Sequence, residues 1–187
     1  LQRIEKLAGT IRLIFISRIS RKKNLLFLLD LLKEMDARIR CELTIMGSVE
    51  EVRYWQNCQK VISALPPHVT ATFGGPAVHT EIEVLLRQHH IFVLPTFGEN
   101  FGHAIFEAFA AGRPVLISDQ TPWRGLTELK AGWDIPLNDD TAFLNTLEMI
   151  AAMNNDEYQQ WSEGAWNFAR NYQHISSLKE KYLNLFS

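Results

Sequence analysis

IFVLPTFGENFGHAIFEAFAAGRPVLIS, residues 91–118, begins and ends on short apolar runs rich in β-forming residues, 91–95 and 114–118. Between them, residues 101–111 are apolar on nearly every side, the pattern of a buried helix, and Gly112 stands where a helix stop belongs. Two strands joined by a covering helix form a right-handed crossover, so the strands run parallel. The alternation extends outward: residues 12–17, 42–47 and 69–73 read as strands, continuous rather than alternating and therefore buried on both faces. Residues 24–35, 50–64 and 78–88 are the intervening helices, and Pro66-Pro67 marks a loop. A sixth short strand is expected at 133–135. Helical patterns follow at 141–153, 157–172 and 175–186, with Trp161, Trp166, Phe168, Tyr172 and Tyr182 as the core of a C-terminal cap. The expectation is an α/β, Rossmann-like doubly wound parallel sheet of about six strands.

The chain has 187 residues, 19 Lys plus Arg against 21 Asp plus Glu, and 47% apolar residues, the composition of a water-soluble single domain. Near neutrality argues against nucleic-acid binding driven by bulk charge, because that mode needs surplus cations to displace counterions. Cys41 and Cys58 show neither CxxC nor Cys/His spacing; this speaks against zinc or a disulfide framework and for a reduced, cytoplasmic setting. The longest apolar run, residues 25–29, falls far short of the roughly 20 residues that span a bilayer. The opening LQRIEK has no initiator Met and no signal-peptide core, as expected of a fragment of a longer chain.

Ligands of open α/β sheets bind beyond the carboxyl ends of the strands, where strand order reverses. In a 3-2-1-4-5-6 order that point lies between strands one and four. The segments after those strands, SRISRKKN (17–24) and TFGENFGH (96–103), are the most unusual in the chain. The first sets Arg18, Arg21, Lys22 and Lys23 ahead of a helix, where cations oppose the helix dipole unless an anion lies between. A solvated charged loop is the alternative. In the second, Glu99 precedes the apolar helix and Glu107 falls in its middle, where a carboxylate needs partners or a ligand. Gly98 and Gly102 let the backbone approach a bound group, with the amides of residues 100–103 facing it. A hydroxyl-rich ligand carrying phosphate satisfies both segments. The competing reading pairs Glu107 with a buried Arg such as Arg113 and makes Glu99 a helix cap.

Residues 97–118 resemble the E-x7-E region of the family four (group 1) retaining glycosyltransferases of GT-B fold. Arg18 and Lys23 fit that family's Arg-x4-Lys pair after the first strand. The resemblance runs from Arg12 to near Tyr172 and matches the C-terminal, donor-binding half of such an enzyme. It implies an acceptor-binding N-terminal domain outside these residues, without which the domain binds but does not catalyse. It also implies a nucleotide-diphosphate sugar donor, such as a UDP-, GDP- or ADP-sugar, with no metal or other cofactor. Arg18 and Lys23 would hold the pyrophosphate and Glu99 the sugar hydroxyls, these three serving catalysis. Amides of Asn100, Phe101, Gly102 and His103 would complete the sugar and phosphate contacts, Glu107 would bind the ribose, and Gly47, Gly75 and Pro76 would line the base pocket. Hexosyl transfer in polysaccharide biosynthesis and a cytoplasmic location, compatible with peripheral contact at the inner face of a membrane, are further implications.

The physics agrees with that division: fixed cations and amides aimed at a departing diphosphate stabilise the transition state more than the ground state. The chain has no Asp-x-Asp motif, since Asp139 and Asp140 are adjacent and Asp134 stands alone. A glycosidase acid/base pair of Glu99 and Glu107 is disfavoured, because hydrolysis needs no pyrophosphate cradle. A flavodoxin-like signalling domain would carry acidic strand ends, not Arg18. The remaining alternative is a nucleotide or phosphate-ligand binding module without transfer activity. Three residues depart from the family pattern: Ser17, Asn24 and Asn100 stand where Gly is common. His79, His89 and His90 lack metal spacing and read as surface or strand-start residues. Trp123 is either an acceptor platform or a packed loop residue.

Overall fold

The computed structural model describes residues 1–185, with side chains through residue 175. Its strands are β1 (Thr10–Ile16), β2 (Arg40–Met46), β3 (Val69–Gly75), β4 (Ile91–Leu94), β5 (Val115–Ser118) and β6 (Gly132–Ile135). Its helices are α1 (Leu25–Lys33), α2 (Val52–Ser63), α3 (His79–Arg87), α4 (His103–Ala110), α5 (Asp140–Ala152) and α6 (Asn155–Leu185). All strand pairings are parallel, in the order β3-β2-β1-β4-β5-β6. This is the expected doubly wound sheet, and its order reverses between β1 and β4. Helices α1, α2 and α5 pack together on one side; α3, α4 and α6 pack together on the other.

Burial is uneven across the sheet. Every residue of β4 and β5 is buried, as expected of strands covered on both faces. In β2 and β3 the pattern alternates instead, with Glu42 and Thr44 half-buried and Thr70 and Thr72 exposed. The reading of these two strands as buried on both faces is therefore corrected. Helix α3 packs against α4 toward the sheet centre and leaves one face of β2 and β3 to solvent.

The helix predicted over 101–111 starts at His103, because Gly102 takes a left-handed φ of +78° as its N-cap. It ends in a Schellman turn: Arg113 N donates to Ala108 O at 2.8 Å and Gly112 N to Phe109 O at 2.9 Å, with Gly112 at φ +68°. Its exposed His103 and Ala110 and half-buried Glu107 correct the picture of a helix apolar all round. The two C-terminal helices expected at 157–172 and 175–186 are one helix, α6. Trp161, Trp166 and Phe168 are half-buried and Tyr172 is exposed, so these aromatics edge the core rather than form it. The side chain of Tyr182, and residue 186, lie outside what is described. Cys41 and Cys58 are free and buried, and burial pushes their thiols up to about 12 and about 11.

Candidate functional site

The loops leaving β1, β2, β3 and β4 meet at one edge of the sheet. Ile19 bridges to Val49, and its carbonyl accepts from the amides of Glu50 and Glu51. A Cβ on Gly47 would lie 1.8 Å from the carbonyl oxygen of Ser17, so only glycine lets the β2 loop approach β1 this closely. Gly47 also donates to the carbonyl of Gly75 at 2.7 Å. On the other side of β1, the Lys22 carbonyl accepts from Phe97 N at 2.8 Å and from Thr96 Oγ1 at 3.1 Å. The two segments singled out in the sequence are thus stitched together across the point of reversal.

Three of the four cations of the first segment, Arg18, Arg21 and Lys23, meet a carboxylate. Lys23 Nζ contacts Glu99 Oε1 directly; the two side chains retain only 9% and 16% of their exposure. Arg18 pairs with Glu50 at 2.6 Å, and Arg21 with Glu51 at 3.2 Å, both in solvent. Exposed pairs of this kind contribute about 0–1 kcal/mol. The Lys23–Glu99 pair differs, since burial makes the loss of either partner expensive for the other. Asn24, where the family pattern favours glycine, sits at φ 59°, a left-handed conformation that asparagine tolerates better than most side chains.

Glu107 faces a cleft of about 410 Å³ between α3 and α4, lined also by His79, Thr80, Ile82 and Ala111. Its carboxylate lies 3.4 Å from His79 Nδ1. Burial raises its pKa above the usual range, and His79 and His103 act in the opposite direction. The competing reading of these carboxylates does not hold. Arg113 is fully buried but donates to the carbonyls of Leu86, Gly112, Gln2 and Arg87, so Glu107 is not its partner. Nor does any side chain, Glu99 included, cap α4.

A third loop fixes the second segment. Glu99 N donates to Gln120 O at 3.1 Å, and the indole Nε1 of Trp123 donates to Phe101 O at 2.6 Å. Trp123 is 4% exposed and stacks on Phe106. It packs down the loop and offers no open platform. His89 and His90 are buried ahead of β4: His90 Nδ1 accepts from Arg12 N at 3.0 Å, and its Nε2 lies 3.0 Å from Glu5 O. Both stand just ahead of β4, as the strand-start reading has it, but they are buried and not at the surface.

The structure thus brings Lys23 and Glu99 into contact, places Arg18, Gly47 and Gly75 on the adjoining loops, and sets Asn100, Phe101, Gly102 and His103 at the start of α4. Pro76 is exposed just after β3, and Glu107 stands one turn into α4 beside His79 rather than beside Glu99. Sequence reasoning missed Glu50 and Glu51 and set His79 aside as a surface residue, without its contact to Glu107. Their signal lay in the fold order, which puts the starts of α2 and α3 at the same edge.

Among the described residues no helix is long and apolar enough to cross a membrane, and no group of three metal-ligating side chains occurs. Comparison with known proteins gives a consistent picture. A D-inositol 3-phosphate glycosyltransferase of Pseudarthrobacter chlorophenolicus is 31% identical over 111 residues, which are 58% of this chain and 26% of that protein. A glycosyltransferase of Rickettsia africae superposes with a TM-score of 0.79 at 16% identity, over 96% of this chain and 48% of its own. Anabaena HepE, solved in complex with UDP and glucose, gives 0.70 at 19% identity over 92% and 49%. The chain therefore spans about a quarter of the curated relative and about half of each solved structure. The sequence profile of the glycosyl transferases group 1 family matches residues 10–152, from β1 through α5. That match covers most of the chain, which belongs to the group 1 glycosyl transferases and has the fold of a GT-B C-terminal domain.

Proposed function

We propose that this chain is the donor-binding half of a retaining glycosyltransferase, taking a nucleotide-diphosphate sugar and passing its hexosyl group to an acceptor held by a further domain. One observation carries the reading: Lys23 and Glu99, from the loops after β1 and β4, meet at the point where the sheet order reverses, with a cleft of about 410 Å³ along the next helix. That HepE was solved with UDP and glucose supports a donor of this chemistry.

In this reading Arg18 and Lys23 bind the diphosphate, whose charge grows as the glycosidic bond breaks. Amides of residues 100–103 face the phosphate and sugar from the uncapped start of α4, and Glu99 accepts from sugar hydroxyls. Glu107 accepts from the ribose hydroxyls within the α3–α4 cleft, and Gly47, Gly75 and Pro76 border the base. The groups assigned to the phosphates are cations and N–H donors, which suit an anion and repel a metal ion, and the proposal is metal-independent. Its setting is cytoplasmic glycan assembly.

Calorimetric titration tests the assignment. Glu107→Gln is expected to weaken binding of UDP, GDP or ADP, whichever the wild-type chain takes, and to leave inorganic pyrophosphate unaffected. Equal loss for both contradicts the ribose role, and failure of every nucleotide to bind removes the donor reading.

A further inference from the structure

We infer that Glu99 selects among phosphate ligands by holding the ammonium of Lys23, so that a bare diphosphate is discriminated against and a diphosphate carrying hydroxyl donors beside it is favoured. The inference rests on the donor reading only in taking Lys23 as the anion ligand. The pair is built in from both sides. Lys23 lies in a 3-10 turn, with its amide on Ser20 O at 3.0 Å and the neighbouring Lys22 carbonyl bound to Phe97 N. Glu99 is fixed through its own amide to Gln120 O. Neither side chain has the solvent that surrounds Arg18 and Glu50, whose exposures are 61% and 44%.

An anion that arrives at Lys23 therefore meets a carboxylate in contact with the same ammonium. Water screens little at this depth, so the repulsion between carboxylate and phosphate is felt. A bare phosphate or diphosphate has nothing to offer Glu99 in return. A glycosyl group on the distal phosphate does, because its hydroxyls donate to the carboxylate and replace the contact given up by Lys23. The same logic favours departure of the diphosphate once the sugar has gone.

The test uses inorganic pyrophosphate as probe, titrated into the wild-type chain, Glu99→Gln, and Glu163→Gln as a control that removes one negative charge from the remote pair with Arg3. Glu99→Gln is expected to bind pyrophosphate about tenfold more tightly, equivalent to about 1.4 kcal/mol, with Glu163→Gln unchanged. Glu99→Ala gives the same direction should the amide variant unfold. Unchanged or weaker binding in both Glu99 variants, an equal gain in Glu163→Gln, or no pyrophosphate binding to any of them overturns the inference. Tighter pyrophosphate binding in a chain that takes no nucleotide would remove the donor reading and leave the selection by Glu99 standing.

Discussion

Two sets of cations in this molecule meet opposite fates. At the back, Arg113 and Lys6 are almost fully buried and donate to backbone carbonyls: Arg113 to Leu86 and Arg87 at the end of α3, Lys6 to Ala151 and Met153 at the end of α5. Each caps a helix C-terminus, where unpaired carbonyls and the negative end of the dipole favour positive charge. At the front, Arg18, Arg21 and Lys23 sit ahead of α1, where the dipole gives them nothing, and take carboxylates. A cation on a helix-end carbonyl is part of the fold, whereas one on a side-chain carboxylate can exchange it for a ligand's anion. The difference teaches where to look for function: charge the fold does not need, gathered where the strand order reverses.

The comparison is most directly broken by truncation at the back. Arg113→Met leaves several buried carbonyls without a donor and is expected to lower stability by about 3–5 kcal/mol, read from denaturant unfolding. A loss below about 1 kcal/mol would show that water or rearrangement satisfies those carbonyls. At the front the expectation reverses. Arg18→Ala should change stability by less than about 0.5 kcal/mol while weakening diphosphate binding by about 1.5–3 kcal/mol, seen by calorimetry. Unaltered affinity would take Arg18 out of the site.

A smaller, graded effect comes from the histidines ahead of β4. Burial lowers the pKa of His90 to about 3 and lowers that of His89 as well. In the unfolded chain His90 takes up a proton below about pH 6.5, while in the folded chain it resists until near pH 3, so stability falls as pH drops through that window. The slope contributed is at most about 1.4 kcal/mol per pH unit for each histidine. His90→Gln should flatten it; an unchanged acid limb would show that His90 is accessible. Smallest of all, Glu163→Gln, which breaks the exposed pair with Arg3, is expected to move stability by no more than about 0.5 kcal/mol.

Much of this frame is legible in the sequence because its signals are local. The apolar runs of β4 and β5 and the glycine after α4 mark the central crossover, and strict alternation gives the parallel, doubly wound sheet. What was not legible depends on reach. Glu42 and Thr44 expose one face of β2 only because α3 lies toward the centre of the sheet. Asn155–Leu185 runs through 173–174 because neither Gln173 nor His174 is a helix breaker, although the aromatic pattern lapses there. His79 carries no motif, and only the packing of α3 on α4 brings it to Glu107. The contact of Lys23 with Glu99 joins residues 76 positions apart, a distance that no periodicity encodes.

The central claim is that the front edge is a nucleotide-diphosphate-sugar site. Backbone-amide NMR titration with UDP, GDP and ADP, and then with their sugar conjugates, tests it most directly at Arg18, Gly102 and Glu107. The account predicts saturable shifts at these three positions with one nucleotide, larger or at lower concentration when the sugar is attached. Shifts confined elsewhere, or none at these positions with any conjugate, would contradict it.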